Sequence, residues 1–307
     1  MSMIATPVEV HPRPKEGTMM RLQAALPKLV LAPSFAAILV FVYGFILFTI
    51  YLSFTRSRLL PVYELAGFDA YQRLWSQPNW WVAITNLGIF GGLYIGVCIA
   101  LGLFLAILLD QKIRGEGVLR PIYLYPMALS FIVTGTAWKW FLNPGLGLEK
   151  TMHDWGYAWF KLDWLVNPDM AIYTVVIAGV WQASGFCMAM FLAGLRGIDG
   201  EILKAAQIDG ASTIALYRRI VIPMLRPVFL SAFIVLAHMA IKSYDLVIAL
   251  TGGGPGNATE LPSTFMYSYT FTRNQMAVGA ASAVIMLMTI CAIIVPYLYS
   301  ELREKNS

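Results

Sequence analysis

Residues 74–109 read "LWSQPNWWVAITNLGIFGGLYIGVCIALGLFLAILL", 36 consecutive positions between Arg73 and Asp110 without one charged side chain. About 20 mainly apolar residues suffice for a helix to cross a hydrocarbon core of about 30 Å. This run spans with residues to spare. Its polar start ends in Gln77-Pro78-Asn79-Trp80-Trp81, and the paired tryptophans suit the aromatic belt at a membrane surface. Gly88, Gly91, Gly92 and Gly96 follow, small residues of the kind that let a second membrane helix approach closely.

The pattern recurs on both sides of that run. Charge is absent over 27 residues between Lys28 and Arg56, 26 between Asp169 and Arg196, and 27 between Arg273 and Glu301. Two windows are shorter: 18 residues from Pro121 to Trp138, and 15 from Pro227 to Ile241, which apolar Leu246 to Leu250 extends. The predicted spans are 29–54, 84–109, 121–138, 171–195, 228–250 and 275–299. The whole chain is 58% hydrophobic and 13% charged, with a mean hydropathy of +0.66. No ten-residue alternating pattern recurs, and lipid leaves backbone groups no outside partner, so helices are expected over a barrel. The first span is too long for the apolar core of a cleaved leader, and no small-residue cleavage site follows it. The expected fold is an all-α polytopic membrane protein with six transmembrane helices.

Lysine and arginine counts orient it. With both termini cytoplasmic, the inner segments 1–28, 110–120, 196–226 and 301–307 hold 14 basic residues, and the outer segments 55–81, 139–169 and 242–273 hold 8. The net charge of +5 then falls entirely on the inside. The basic balance reflects topology, since no clustered basic face of the kind that binds nucleic acid is present. Residues 1–28 form a tail with an interfacial stretch at 20–26, and residues 301–307 a second tail. The outer segment 139–169 is expected to include a short surface helix.

Several chemistries are excluded. Cys98, Cys187 and Cys291 lie in separate spans and read as packing residues. His11, His153 and His238 fall in a tail, an outer loop and a helix, with no metal-ligand spacing. No G-x-S-x-G occurs, and no Gly-Lys dipeptide, so there is no P-loop. A proton- or ion-driven carrier would place acids inside its spans. Only span five holds ionisable groups, His238, Lys242 and Asp245, near its outer half. Lys242 and Asp245 there suit an interfacial i,i+3 pair.

The inner segment 196–226 is too long for a plain connector, which usually takes about 2–8 residues. It contains "EILKAAQIDGASTIALYRRIVIPMLRP", residues 201–227. Glu201 to Ile208 reads as a short helix. Asp209-Gly210 is a turn, because glycine accepts the left-handed conformation that ends a helix. Ser212 caps a second helix running towards Ile222, and Pro223 and Pro227 mark the entry to span five. Ala205, Ala206, Gly210 and Ala211 keep one surface low enough for another backbone to approach. The alternative is an amphipathic connector whose Ile208, Ile214, Leu216 and Ile220 dip into lipid.

The stretch "KAAQIDGASTIALYRRIVIPMLRP" resembles the cytoplasmic loop of binding-protein-dependent ABC importer permeases. That family has Glu-Ala-Ala, then Asp-Gly-Ala three residues on, an aromatic, and a proline about a dozen residues after the glycine. Ala205, Ala206, Asp209, Gly210, Ala211, Tyr217 and Pro223 match in register. The family's acid falls on Lys204, with Glu201 one helical turn earlier. The segment "LTGGGPGNAT", holding Gly252, Gly253, Gly254 and Pro255, together with "TFMYSYTF" and Asn86, resembles the sugar-uptake branch, closest to its glucose/mannose-type members.

The resemblance covers residues 80–300. It implies a type I ABC importer permease fold, with a first helix at 29–54 and a five-helix transmembrane domain at 80–300 that carries an ATPase-coupling loop at 196–226. It also implies a second homologous permease chain, two ATPase subunits that bind ATP and magnesium, a periplasmic sugar-binding protein that docks on the glycine-rich outer loop, and a multi-pass place in the bacterial inner membrane. This chain itself would carry no cofactor and catalyse nothing. A neutral sugar wants aromatic faces with amide and hydroxyl partners. The pathway candidates are Asn86; Trp181, Gln182 and Ser184 in the fourth span; and His238, Ser243, Tyr244 and Asp245 in the fifth. The competing reading of another class is an ion-coupled secondary sugar carrier, and a membrane-embedded enzyme lacks any visible constellation.

Overall fold

A computed structural model describes residues 28, 30–111 and 115–305. The interfacial stretch expected at 20–26 lies outside them. Helices make up the regular structure of the described residues, with a single antiparallel bridge, Thr55 to Leu65.

The chain divides into two compact units, the first ending at Thr49 and the second beginning at Ile50. The first is helical from Val30 and belongs to α1 (Val30–Ser53), which contains a wider π-type stretch at Leu39–Gly44. No described side chain of this unit is buried.

The second unit is a helix bundle. Its elements are α2 (Asp69–Trp75), α3 (Pro78–Asp110), α4 (Glu116–Ala128), α5 (Phe131–Phe141) and α6 (Leu148–Asp154). They continue with α7 (Ala171–Arg196), α8 (Gly200–Ile208), α9 (Thr213–Met224), α10 (Arg226–Ile241), α11 (Asp245–Leu250), α12 (Pro262–Tyr267) and α13 (Met276–Lys305). α3 and α7 form the centre of the bundle, with Phe90, Tyr94, Cys98, Cys187, Met188 and Phe191 fully or nearly fully buried. A smaller core joins α2, α3, α12 and α13 through Leu74, Trp80, Phe265, Tyr269 and Ala281. Short α6 falls within residues 139–169, where a short helix is expected from the sequence.

Membrane helices pack through small residues, because apolar contact alone does not distinguish a helix from lipid. The glycines that do this are not the four expected in α3. A Cβ at Gly88, Gly92 or Gly96 would meet nothing within 4 Å, and one at Gly91 would meet only Ala240, at 3.9 Å. The close approaches lie elsewhere. A Cβ at Gly102 would collide with the backbone of Cys187, and one at Gly185 with the carbonyl of Tyr123.

Among the described residues, four helices are long and apolar enough to cross a membrane, and six spans result if each of two bent pairs counts as one. Spans three and five, expected as continuous helices, are the ones that break. α4 and α5 meet at 99° within span three; α9 and α10 meet at 62° at Leu225, just ahead of span five, which is itself interrupted after Ile241. Pro126 lies within α4 and removes an N–H from its last turn. Leu129 and Ser130 are then extended, and the Ser130 hydroxyl restarts the helix by accepting from the Val133 N–H at 3.3 Å. α10 stops at Ile241, and α11 begins only at Asp245.

Candidate functional site

Two groups of the expected residues are assembled, at opposite ends of α9 and α10. The first is the bracket between α7 and α10. The Asp199 carboxylate accepts from the Glu201 N–H at 2.9 Å and so starts α8. At its other end Gly210 has φ +81, the Ala211 N–H reaches back to the Ala206 carbonyl at 3.0 Å, and the Gly210 N–H to that of Gln207 at 3.0 Å. This paired closure is a Schellman motif, and it fixes the direction of the exit. Nothing stands within 4 Å of a Cβ at Gly210. The glycine is required by its backbone angle and not by crowding. Ser212 caps α9, accepting from the Ala215 N–H at 3.3 Å.

α9 widens to π-type turns at Tyr217–Val221, just ahead of Pro223, whose ring and missing N–H disturb a regular ladder. Gln111 at the end of α3 donates to the Tyr217 hydroxyl at 3.0 Å. Arg196 at the end of α7 pairs with Glu116 at the start of α4 at 2.6 Å. The bracket is thus tied to the end of α3, and the α7 end from which it departs is tied to the start of α4. Ala206 faces inward, whereas Glu201, Lys204, Ala205 and Asp209 are exposed. Lys204 Nζ lies 2.9 Å from the Glu201 carboxylate. Ile208 and Ile214, on either side of the corner, are 86% and 80% exposed.

The second group surrounds the break between α10 and α11. His238, Ser243, Tyr244 and Asp245 line a cavity of about 80 Å³ with Lys242 and with Phe131, the first residue of α5. His238, Tyr244 and Asp245 also line a neighbouring cavity of about 470 Å³ with Tyr267 and Ser263. Tyr244 and Tyr267 lie ring to ring, 4.8 Å between centroids. The Ser243 hydroxyl is spent on the Met239 carbonyl at 3.0 Å. Lys242 and Asp245 form no ion pair with each other among the described residues. Two interrupted helices therefore meet here, the α4–α5 break through Phe131 and the α10–α11 break through residues 242–244. Irregular backbone at membrane depth is tolerated where it lines a cavity or is buried in protein.

The remaining candidates lie apart. Gln182 donates to the Leu129 carbonyl at 2.7 Å and so bridges the α4–α5 break, while its own buried carbonyl oxygen has no partner. Trp181 stands edge-on to Trp138 at 5.9 Å, and Ser184 is half-buried. Asn86 donates twice, to the carbonyls of Ala258 at 2.9 Å and Glu260 at 3.0 Å, and so holds the outer loop. In that loop Gly252, Gly253 and Gly254 all have positive φ, and Pro255 opens a short turn. The hydroxyls of Thr251 and Thr259 meet at 2.6 Å and close its base. Glu260 is buried beside it, and burial raises its carboxyl pKa to about 7 against the opposing pull of Arg273.

Phe131 lines the smaller cavity, Tyr267 the larger and Lys242 both, yet none of the three was among the pathway candidates. Tyr267 stands within the quoted "TFMYSYTF", so a signal was present. Phe131 had a signal only in Pro126 and Ser130 before it, a proline and a capping residue inside what hydropathy reads as one span. Among the described residues no group of three or more His, Cys, Asp or Glu is placed to hold a metal ion.

Residues 98–304 match the family described as the binding-protein-dependent transport system inner membrane component. The chain belongs to this family. It is a membrane permease component and not an ATPase, and the family is multi-pass. A probable ABC transporter permease protein of Pyrococcus horikoshii is 42% identical over 91% of this chain and 97% of its own length. The xylose/arabinose import permease protein XacH of Haloferax volcanii is 37% identical over 86% of this chain and 84% of its own. In fold, the permease is similar to a chain of a bacterial ABC transporter involved in import of the polysaccharide alginate. The TM-score is 0.79 with 19% identity, over 93% of this chain and 98% of that one. The type I permease architecture read from the loop motif is therefore confirmed, and no observation supports an ion-coupled carrier.

Proposed function

We propose that this permease is one of two related chains that form the translocation pathway of an ATP-driven sugar importer, coupled to two separate ATPase subunits and fed by a periplasmic sugar-binding protein. One observation carries the coupling role. α8 and α9 meet at a corner closed by backbone hydrogen bonds, with Ile208 and Ile214 standing out from it. Isolated apolar side chains this exposed on a stiff mount suit insertion into a cleft of another protein. A rigid bracket tied to α3 and α7 transmits a displacement, whereas a mobile loop would absorb it. Glu201, Lys204, Ala205, Ala206, Asp209, Gly210, Ala211, Tyr217 and Pro223 make up this coupling element.

The sugar pathway runs past the α10–α11 break, where Tyr244 and Tyr267 offer aromatic faces and His238 and Asp245 offer polar partners. Gln182 and Asn86 act by holding backbone. Gly252 to Pro255, in the loop that Asn86 holds at Ala258 and Glu260, face the binding protein. The resemblance of the outer loop points to glucose or mannose, and the name of the Haloferax relative points to xylose and arabinose, so all four sugars belong in the assay. The location proposed from the resemblance is the bacterial inner membrane, with both termini inside.

The deciding experiment is reconstitution in liposomes with an ATPase subunit and a binding protein encoded beside this chain. ATP hydrolysis stimulated by sugar-loaded binding protein is expected. Sugar uptake by the permease alone, driven by an ion gradient, would refute the proposal.

A further inference from the structure

On the orientation with both termini inside, eight basic residues fall in outer segments. Every arginine among them, Arg56, Arg58, Arg73 and Arg273, lines one cavity of about 460 Å³, and none of the outer lysines does. Basic residues are disfavoured on that side of a membrane protein. Four at one place therefore call for a cause of their own.

The cavity holds a single acid, Asp69, which is already paired with Arg73 at 2.9 Å. Arg273 is fixed by the Tyr269 hydroxyl at 3.2 Å and by the ring beneath its guanidinium, 4.7 Å to the centroid. Arg56 and Arg58 have no ion-pair or side-chain hydrogen-bond partner among the described residues. Buried hydroxyls of Thr55 and Ser57, 2.7 Å apart, lie below them. Two arginines are held in place and two are open-handed, all around a space large enough for a phosphate group. Guanidinium forks bind phosphate in a bidentate way that an ammonium cannot.

Depth selects the source of that phosphate. Each arginine lies within five residues of the end of an apolar helix: α1 at Ser53, α3 at Pro78 or α13 at Met276. That is headgroup level. Exposed Leu59 lines the cavity, exposed Leu60 and Phe68 adjoin its lining residues in the chain, and exposed Trp75 and Trp81, 5.3 Å apart, follow closely on Arg73. Exposed leucine and tryptophan this near the arginines in the chain suit an acyl chain boundary and not an acidic protein surface.

We propose that this cavity binds the phosphate of an anionic phospholipid headgroup, with Arg56 and Arg58 as the primary donors and Arg73 and Arg273 as preset flanking charges. The test uses the assembled transporter in detergent, offered phosphatidylglycerol or phosphatidylcholine, with bound lipid counted by native mass spectrometry. Phosphatidylglycerol is expected to be retained preferentially. R56Q/R58Q is expected to weaken that retention about ten- to thirty-fold, and R56K/R58K, which keeps the charge but loses the bidentate fork, to fall between that variant and wild type.

Equal retention of the two lipids, or equal retention by wild type and R56Q/R58Q, overturns the proposal. Unchanged lipid retention with lost stimulation by the binding protein also overturns it, and assigns the arginines to an acidic protein surface. If R56Q/R58Q fails to assemble, wild type decides. Glycerol 1-phosphate should release bound phosphatidylglycerol, and failure to do so overturns the assignment.

Discussion

At Gly210 the angle and not the space is what matters, so the cost of substitution follows the backbone preference of the new residue. Gly210→Val places a β-branched side chain at φ +81, costing more than about 1 kcal/mol. The expected result is weaker co-purification of the ATPase subunit, with Gly210→Asn milder because asparagine tolerates that region. Normal coupling in the valine variant would remove the basis for a rigid corner. The neighbouring Lys204 was the one mismatch with the family pattern. Its charge is met by Glu201 on the same helix, an exposed pair worth at most about 1 kcal/mol. The missing acid is thus no obstacle to the bracket folding. Glu260 behaves differently. Its carboxyl is raised to about 7 when folded, above the ordinary value of about 4.3. The folded state therefore holds the proton more tightly, and the group's contribution is most favourable below about pH 4 and is lost as pH rises to about 7. Glu260→Gln should flatten that part of the thermal-unfolding profile and raise stability at neutral pH. A profile identical to wild type would show the carboxylate to be solvated. Gly210 and Ser212 were legible because their roles are local. Glu260 was not, because an acid in a glycine-rich outer loop reads as exposed, and the strand of contacts that buries it begins at Asn86, 174 residues away.

Elements were legible where one helix makes one span. The long charge-free windows correspond to α1, α3, α7 and α13, and their composition alone demands helices in lipid. Hydropathy has no signal for direction, so it merged α4 with α5 and α10 with α11. The breaks are set by small features: Pro126, the Ser130 cap, and the three-residue interruption at 242–244. These breaks also gather four of the eight pathway candidates, His238, Ser243, Tyr244 and Asp245, whose positions were read but not their grouping. Gln182 is the test at this scale. Gln182→Leu leaves the Leu129 carbonyl without its donor, at a cost of about 1–3 kcal/mol for a buried acceptor, while relieving its own unpartnered oxygen. A net loss near the low end of that range is expected in thermal unfolding of the complex, with reduced sugar uptake if the α4–α5 angle shapes the pathway. Asn86→Leu removes two donors at once. It should free residues 252–258 for proteolysis while leaving the helix bundle assembled, and a loop as resistant as wild type would mean that the Thr251–Thr259 contact alone holds it.

At the scale of the whole molecule the chain must have a direction, and its charges and its surfaces point the same way. The segments proposed as inner carry 14 of the 22 basic residues, and the exposed isoleucines of the coupling corner lie in one of those segments. The cluster of four outer arginines is the local exception to that bias, which is why it asks for an anion. Orientation can be measured directly. In a variant with Cys98, Cys187 and Cys291 replaced by alanine or serine, single cysteines report which side they face. Ile214→Cys and Trp159→Cys suit this, since both side chains are 80% exposed and neither is needed for the packing of the bundle. A membrane-impermeant thiol reagent added to intact cells should label Trp159→Cys and spare Ile214→Cys until the membrane is opened. Adding the ATPase subunit to opened membranes should then protect Ile214→Cys and leave Trp159→Cys labelled. The first result depends on topology alone, and the second on docking at the corner. Reversed labelling would therefore invert the orientation, whereas unprotected labelling would remove the coupling role while leaving the topology intact.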